Sequence, residues 1–311
     1  MDAKDLRIVF MGTPDFAASV LSELASQHDV VAVYTRPDAV RGRGKQLVPS
    51  PVKVEACERG IPVFTPKTLR DVDEQQALAA LEPDAICVAA YGMLLPAEVL
   101  SIPEHGCLNV HASLLPRWRG AAPIQWAVIA GDEKAGVTTM LMAEGLDTGD
   151  MLLTSETPVG ARETAGELFD RLAQSGAELL TETLVRLDEI TPRPQNDAES
   201  CYAHMLDKKM AVIDWSKSAR ELDCLVRGLN PWPIALTSLA GERLKIYAAE
   251  QTNGCGEPGT VLEADPKKGL TVACGEGALT LTEIQLVGGK RMKATDFLRG
   301  HAVEKGSRLG E

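Results

Sequence analysis

Asn109 and His111 lie two residues apart at the end of the apolar run 107–110, and two side chains of these types at this spacing could catalyse a reaction together. Side chains of a β-strand alternate between its two faces, so residues two apart project from the same face. A carboxamide can donate a hydrogen bond to an oxygen that becomes negatively charged, and an imidazole, which titrates near neutral pH, can move a proton. The pair therefore predicts an active site at the end of a buried strand.

A third candidate, Asp147, follows the next apolar run, 137–142. Glycines on both sides of it allow the backbone to turn sharply and to present the carboxylate at the crevice where such strands end. Asp147 or Asp150 can instead form the turn by bonding its own backbone, which is the commoner role of aspartates in turns.

Together, Asn109, His111 and Asp147 favour acyl transfer to an amine. A carboxylate near an imidazole stabilises the protonated ring, while the amide donates to the developing oxyanion. Serine-hydrolase chemistry is less favoured, because Ser113 is the nearest nucleophile and no Gly-x-Ser-x-Gly motif surrounds it.

The elements that must position these residues alternate in type along the first 190 residues. The strand-like runs are 6–10, 30–34, 85–89, 107–110, 137–142 and 151–155. The helix-like segments are 14–26, 51–59, 73–81, 123–130 and 164–190, the last opened by a capping box of Thr164 and Glu167. This alternation predicts an α/β domain with a doubly wound, mostly parallel sheet, whose ligands bind beyond the carboxyl ends of the strands.

The rest of the chain has a different pattern. Two prolines in the polar stretch that follows residue 190 predict a linker, so that the domains are 1–190, a linker 191–205 and 206–311. After a helix over 218–228, short runs at 243–248, 260–263, 270–273 and 278–286 alternate with glycine-rich turns. This spacing predicts a small barrel or sandwich.

Charge is distributed unevenly between these parts. The chain has a formal net charge of −12, which disfavours a polyanionic partner because nucleic-acid binding depends on neutralising phosphates. Residues 200–311, however, carry 15 Lys and Arg against 14 Asp and Glu, which leaves 17 against 30 for residues 1–199. The acidity belongs to the first part.

Two groups of cations contrast with that acidity. The long loop 36–51 carries Arg41, Arg43 and Lys45 among glycines, and it can either follow a phosphate backbone or be a solvated loop. Lys208 and Lys209 belong to several clusters in the second domain, where a solvated face and a nucleic-acid groove are both possible.

Several classes of protein are disfavoured. The seven cysteines are scattered and include no Cys-x-x-Cys pair, so neither a disulfide framework nor a zinc site is expected. The turn after the first run lacks Gly-x-Gly-x-x-Gly, which disfavours NAD. No long apolar run or signal peptide is present, so we expect a cytoplasmic protein without a membrane partner.

The segment 89–96, which includes Tyr91 and Gly92, is apolar where a surface loop is usually polar. It follows the third run, at the same predicted edge as the catalytic candidates. It is either one wall of a pocket for a flat organic ligand or ordinary core, and its place at a strand end favours the pocket.

Several motifs together resemble one known family, the folate-dependent formyltransferases. They are NVHASLLP at 109–116, RWRGAAP at 117–123, GVTTM at 136–140 and GLDTG at 145–149. RGRGK at 41–45, PSP at 49–51, IDW at 213–215 and NPWP at 230–233 resemble the branch whose acceptor is methionine-charged tRNA. Residues 38–41 depart from the Pro-Ala-Gly expected before Arg43.

The resemblance implies a Rossmann-like catalytic domain followed by a C-terminal domain resembling an OB barrel. It also implies transfer of formyl from 10-formyltetrahydrofolate, the cosubstrate, to the α-amino group of methionyl initiator tRNA, without a metal. We expect a monomer.

The resemblance further implies a role for individual residues. Asn109, His111 and Asp147 match the family's catalytic positions, and Arg43 matches its tRNA-contacting loop. The candidates for binding the folate are Ser113, Leu114, Leu115, Pro116, Tyr91 and Gly92. The other candidates for binding the tRNA are Arg41, Lys45, Lys208 and Lys209.

Two alternative functions remain. A formyltransferase or formyl-folate hydrolase acting on a small amine, such as glycinamide ribonucleotide or an aminosugar, would not need the loop 41–45 or the second domain. A nucleic-acid-binding protein with a catalytically inactive first domain would not need Asn109, His111 and Asp147.

Overall fold

The computed structural model describes residues 6–41 and 46–310, which fold into two compact units. The first unit comprises Met1–Gly120, Ala135–Thr157 and Phe169–Ala203, and the second comprises Ala121–Lys134, Pro158–Leu168 and His204–Glu311. The strands are, in chain order, β1 Arg7–Gly12, β2 Asp29–Tyr34, β3 Ala39–Arg41, β4 Gln46–Val48, β5 Val63–Phe64, β6 Ala85–Ala89, β7 Cys107–His111, β8 Arg119–Gly120, β9 Lys134–Leu141, β10 Met151–Pro158, β11 Tyr202–Ala203, β12 Ala235–Leu239, β13 Glu242–Thr252, β14 Val261–Asp265, β15 Gly269–Ala273, β16 Ala278–Leu286 and β17 Met292–Lys293. The helices are α1 Asp15–Gln27, α2 Pro51–Glu58, α3 Val72–Ala79, α4 Ala97–Leu100, α5 Pro123–Ile129, α6 Ala165–Val185, α7 Ala219–Gly228 and α8 Ala294–Gly300.

The first unit is built on a seven-stranded sheet with the order β10-β9-β7-β6-β1-β2-β5. Neighbouring strands from β7 through β6, β1 and β2 to β5 are parallel, and β9 is antiparallel to β7. β6 and β7 are buried along their whole length, as expected of strands covered on both faces. The predicted mostly parallel sheet is confirmed, and all six predicted runs are strands of it.

The turn between β1 and α1 is a close-packed connection. A Cβ at Gly12 would lie 2.6 Å from the Cβ of Ala17 and 2.9 Å from the carbonyl oxygen of Ala89. Only glycine therefore fits where the end of β1 meets α1 and the end of β6. This places the carboxyl ends of β1 and β6 side by side.

The second unit contains an antiparallel sheet with the order β12-β13-β16-β15-β14, to which β17 adds by pairing with β16. Alternate residues of its strands fill one core together with Trp215 and with Phe297 of α8. The predicted strands at 243–248, 260–263, 270–273 and 278–286 are confirmed as β13 to β16. Closure of this sheet into a barrel stays a prediction.

Some elements differ from the predicted ones. α6 ends at Val185, five residues before the predicted end, and a 3₁₀ turn over Leu187–Glu189 follows it. Its capping box is present, since Glu167 N–H donates to Thr164 Oγ1 and Thr164 N–H donates to Glu167 Oε2. α8 was not predicted from the sequence.

The predicted linker, 191–205, does not lie apart from the first unit. Met151 and Arg193 exchange backbone hydrogen bonds of 2.8 and 2.9 Å, and Tyr202–Ala203 pairs in parallel with Arg119–Gly120. The division into domains 1–190 and 206–311 stays a prediction. Within the described residues no helix combines the length and apolarity that a membrane crossing requires.

Candidate active site

β7 carries two of the candidates at the centre of the first sheet. Asn109 pairs with Val88 of β6 and with Met140 of β9, and His111 pairs with Thr138. Asn109 and His111 are only 7% and 6% exposed, so both polar side chains lie at a largely dehydrated strand end. α6 approaches β7 closely at Gly176, where a Cβ would lie 2.9 Å from Val110 Cγ1.

The imidazole of His111 is held by a backbone carbonyl. His111 Nε2 lies 2.9 Å from the carbonyl oxygen of Trp118, which can only accept a hydrogen bond, so Nε2 carries a proton. In the neutral ring this leaves the lone pair on Nδ1. Nδ1 is therefore the atom that can take up a proton.

Asp147 faces that nitrogen. Its Oδ2 atom lies 3.7 Å from His111 Nδ1 and accepts a hydrogen bond of 2.8 Å from the backbone N–H of Gly120. The Asp147 side chain is only 14% exposed, so its charge is weakly screened near the imidazole. The structure thus brings His111 and Asp147 together at the end of β7, the strand that also carries Asn109, with the backbone of 118–120 bonded to both His111 and Asp147.

Backbone strain coincides with this arrangement. Trp118 and Asp147 have φ angles of +62° and +52°, in the left-handed region that side chains other than glycine rarely adopt. Such conformations persist only where surrounding contacts enforce them, and they are concentrated at functional sites. Here they direct the Trp118 carbonyl at His111 and bring the Asp147 carboxylate to Gly120.

The carboxamide of Asn109 stands apart from these contacts. Across residues 6–41 and 46–310 no hydrogen bond joins it to another residue, and Asn109 keeps 7% of its surface exposed. Its two N–H donors are therefore available to an oxygen bound beside β7.

The segment Ser113–Pro116, the folate-contacting candidate, is tied to β9. Ser113 Oγ donates to the Arg117 carbonyl at 2.7 Å. Thr138 Oγ1 donates to the Ser113 carbonyl at 2.8 Å and accepts from the Leu115 N–H at 3.2 Å. Ser113 and Leu115 are buried, whereas Leu114 and Pro116 are partly exposed. This segment is a fixed loop directly after β7, the strand that carries Asn109 and His111.

The second folate candidate follows β6, the parallel neighbour of β7. The Tyr91 ring is in the core, 2% exposed, and its carbonyl accepts from Thr13 Oγ1 at 2.9 Å. Gly92 is exposed, with φ of +77°. The side chain of Tyr91 therefore belongs to the core, and Gly92 is the member of this pair at the surface.

The structure describes the tRNA candidates only in part. Arg43, Lys45 and the side chain of Arg41 lie outside the described residues. At the base of that loop, Lys53 Nζ contacts both carboxylate oxygens of Asp38, at 2.8 and 2.9 Å. Lys208 and Lys209 are exposed on a 3₁₀ turn of the second unit, Lys208–Ala211.

Gln195 and Arg119 link the loops that hold the candidate residues His111 and Asp147, but they were not identified from the sequence. Gln195 Nε2 donates to the carbonyls of Asp147 and Gly149, both at 2.8 Å, and Gln195 Oε1 accepts from Arg119 Nε at 2.9 Å. Gln195 lies in a polar, proline-containing stretch, which gave no signal of a contact with a residue 48 positions earlier.

Cys107, at the start of β7, carries a buried thiol. Burial raises the pKa of the Cys107 thiol to about 12, so that it is protonated at neutral pH. Within the described part of the chain, no group of three His, Cys, Asp or Glu side chains is arranged to hold a metal ion.

Comparison with known proteins gives matches along nearly the whole chain. The family model described as "Formyl transferase" matches residues 6–184, and "Formyl transferase, C-terminal domain" matches residues 205–302. The methionyl-tRNA formyltransferase of Ectopseudomonas mendocina (strain ymp) is 55% identical over 295 residues, 94% of each chain. That of Marinobacter nauticus (strain ATCC 700491 / DSM 11845 / VT8) is 51% identical over 300 residues, 95% of this chain and 96% of the relative.

A solved structure shows the same fold at low identity. The N-formyltransferase from Helicobacter canadensis, in complex with folinic acid and dTDP-3-aminofucose, has a TM-score of 0.66 and 17% identity, covering 92% of this chain and 100% of that chain.

Proposed function

The chain belongs to the formyl transferase family, and we propose that it transfers the formyl group of 10-formyltetrahydrofolate to the α-amino group of methionyl initiator tRNA. The relatives named methionyl-tRNA formyltransferase, at 51% and 55% identity over nearly the full chain, support this choice of acceptor. The observation that carries the chemistry is His111 Nδ1, which lies 3.7 Å from the Asp147 carboxylate, with Asn109 two residues earlier on the same buried strand.

The reaction needs an oxyanion stabiliser. The neutral amine attacks the formyl carbon, a C–N bond forms, and the carbonyl oxygen gains negative charge. The Asn109 N–H groups, which have no partner within the described residues, donate to that oxygen at a site largely shielded from water. Donors that are already in place act without reorganisation cost at the moment of reaction.

The reaction also needs a path for one proton. The amine loses a proton as it attacks, and the departing N10 of the folate gains one as the C–N10 bond breaks. His111 Nδ1 accepts the proton from the amine and passes it to N10. Nδ1 can do so because the Trp118 carbonyl keeps the other ring proton on Nε2. Asp147 stabilises the imidazolium in between.

We assign the folate cosubstrate to the carboxyl edge of β6 and β7. Ser113–Pro116 leaves this edge after β7 and is fixed by Thr138, and Tyr91 and Gly92 leave it after β6. Exposed apolar side chains at Leu94 and Leu146 are suited to a flat ring system. The chemistry of these groups fits a folate, with Asn109 and His111 directed at its formyl group.

We assign the tRNA to cationic segments of both parts of the chain. Arg41, Arg43 and Lys45 would contact its acceptor end, and Lys208 and Lys209 its backbone. The catalytic domain would span 1–190 and the tRNA-holding domain 206–311, with a linker between. We propose a cytoplasmic monomer, as the reaction needs no second copy of the site.

The test is formyl transfer with purified protein, 10-formyltetrahydrofolate and methionyl initiator tRNA. Glycinamide ribonucleotide and dTDP-3-aminofucose serve as alternative acceptors, and release of formate in the absence of any acceptor reports hydrolysis. We expect N-formylmethionyl-tRNA alone. Transfer to a small amine at a higher kcat/KM than to the tRNA would overturn the proposed acceptor.

Two variants test the assigned roles. Asp147→Asn removes the charge that stabilises the imidazolium, so kcat should fall and its pH profile should change. Turnover equal to that of the unsubstituted protein would refute the role of Asp147.

Arg43→Ala should weaken tRNA binding and reduce the salt dependence of that binding. Activity identical to that of the unsubstituted protein across a salt series would show that Arg43 does not contribute to tRNA binding.

A further inference from the structure

The segment 193–203, which we call the strap, contacts both backbone loops that hold the candidate catalytic groups. One loop, 117–120, bonds His111 through the Trp118 carbonyl and Asp147 through the Gly120 N–H. The other, 145–150, carries Asp147 itself. All of these residues belong to the first unit.

The hydrogen-bonding groups of the Gln195 side chain are all engaged in these contacts. Both hydrogens of its Nε2 atom are used, because Nε2 donates to the carbonyls of Asp147 and Gly149 at 2.8 Å each. Its Oε1 atom accepts from Arg119 Nε at 2.9 Å. One carboxamide therefore joins the Asp147 turn to the loop that bonds His111.

Arg119 is in turn fixed by the strap. Its Nη2 atom lies 2.8 Å from Asp197 Oδ1, and its backbone N–H donates to the Cys201 carbonyl at 2.9 Å. The guanidinium side chain is only 11% exposed. An Arg held at its backbone and at two guanidinium nitrogens presents a defined partner to Gln195.

The conformation of Asp147 needs such support. Its φ of +52° is disfavoured for a residue with a Cβ atom. Gln195 donates hydrogen bonds to the carbonyl of Asp147 itself and to that of Gly149, two residues later. If the turn relaxes, the Asp147 carboxylate moves away from the Gly120 amide and from His111 Nδ1.

We propose that Gln195 is a positioning residue that holds Asp147 in its catalytic orientation. The inference rests on the proposed function, because it takes Asp147 as the group that stabilises the His111 imidazolium. Gln195 acts through Asp147 and does not touch the substrates. A side chain with that role affects the rate of the chemical step and leaves substrate binding unchanged.

The first experiment compares Gln195→Ala with Gln174→Ala, its matched control. Gln174 is an exposed glutamine of α6 whose amide donates a hydrogen bond to Glu178 of the same helix. Displacement of a catalytic group by about 1 Å costs on the order of 100-fold. We expect kcat to fall about 10- to 100-fold in Gln195→Ala, with KM for tRNA and folate unchanged, and to stay unchanged in Gln174→Ala.

The second experiment asks whether the loss depends on Asp147. In the background of Asp147→Asn, adding Gln195→Ala should lower kcat by less than about twofold, because the group that Gln195 positions is already disabled. A purely structural role would give the same loss in both backgrounds. Equal losses therefore overturn the proposal, and so does an unchanged kcat in Gln195→Ala.

A third variant covers a failure of Gln195→Ala to fold. Gln195→Glu keeps the size and the acceptor for Arg119, but its carboxylate cannot donate to the Asp147 and Gly149 carbonyls. It should show the same loss of kcat and the same dependence on Asp147. A kcat equal to that of the unsubstituted protein overturns the proposal.

Hydrogen exchange of the Gly120 amide separates this inference from the proposed function. That amide is bonded to Asp147 Oδ2, so it should exchange faster in Gln195→Ala, or in Gln195→Glu, than in Gln174→Ala. An equal exchange rate overturns the positioning role. This readout holds even if the unsubstituted protein forms no N-formylmethionyl-tRNA, a result that refutes the proposed function alone.

Discussion

The carboxylate of Asp147 accepts a hydrogen bond of 2.8 Å from the backbone N–H of Gly120. This bond joins two loops that leave different strands, one following β7 and the other following β9. It also occupies Oδ2, the oxygen that lies 3.7 Å from His111 Nδ1. The orientation of the carboxylate toward the imidazole therefore depends on the backbone position at Gly120.

Gly120→Ala should lower both stability and kcat. The residue has φ of +112°, and a Cβ there would lie 2.7 Å from Tyr202 Cε2 and 2.8 Å from the Ala203 carbonyl oxygen. Relief of this clash must move the Gly120 N–H, and the expected cost in unfolding free energy is about 1–3 kcal/mol. Urea unfolding and formyl-transfer kinetics measure the two effects.

Gly241→Ala is the matched control for that substitution. Gly241 has φ of +80°, and a Cβ there would meet nothing within 4 Å, so the variant carries the backbone strain without the clash. We expect it to lose stability and to keep kcat. Loss of kcat in Gly241→Ala, or normal kcat in Gly120→Ala, would contradict the link between Gly120 and Asp147.

Gly12→Ala should destabilise the first unit. The new methyl group would lie 2.6 Å from Ala17 Cβ and 2.9 Å from the Ala89 carbonyl oxygen, neither of which can rotate away. Overpacking of this kind costs about 1–3 kcal/mol. Gly300→Ala, where nothing lies within 4 Å, should be neutral in the same unfolding assay, and equal stability of the two variants would refute the argument.

The strand that carries the site could be predicted from the sequence because its signals are local. The run 107–110 is apolar apart from Asn109, which is typical of a strand buried on both faces, and alternation places Asn109 and His111 on one face. The glycines beside Asp147 likewise predicted the sharp turn. These features depend on a few neighbouring residues, and they are found where they were expected.

The contacts that orient the candidate catalytic groups could not be predicted in the same way. His111 is held by the backbone carbonyl of Trp118. Because every residue has a backbone carbonyl, the residue types in the sequence cannot indicate this hydrogen bond. Gln195 lies in a stretch whose prolines and polar residues are typical of linkers, and its partners are far away in the chain. Long-range contacts of the backbone leave no periodic pattern.

Tyr34→Phe should increase stability at neutral pH. The Tyr34 ring is fully buried and its hydroxyl has no hydrogen-bond partner within the described residues. Removal of an unsatisfied buried hydroxyl should raise the free energy of unfolding by about 1 kcal/mol. Tyr247→Phe is the control with the opposite expectation, because the Tyr247 hydroxyl donates to Gln285 at 2.7 Å.

The same substitution should flatten the alkaline loss of stability. Burial raises the pKa of Tyr34 from its ordinary value of 10.0 to about 12. Above pH 10 the unfolded phenol ionises while the folded one stays neutral, so stability falls as pH rises through this window and is retained below it. Urea unfolding between pH 8 and 12 should show a smaller decline in Tyr34→Phe, and an identical decline would refute the assignment.

Asn109→Ala should separate catalysis from stability. Removal of one oxyanion donor costs about 100- to 1,000-fold in kcat in hydrolases, and we expect a loss of that order here. The free energy of unfolding should change little, because the Asn109 carboxamide has no hydrogen-bond partner within the described residues and its removal leaves no protein group unsatisfied. Asn109→Asp, which keeps the size but replaces both donors with a carboxylate oxygen, should lose kcat at least as strongly. An oxyanion donor forms its hydrogen bonds only when the oxyanion forms, so its removal should affect kcat and not the fold. A large loss of stability with near-normal kcat in Asn109→Ala would instead show that the carboxamide stabilises the fold.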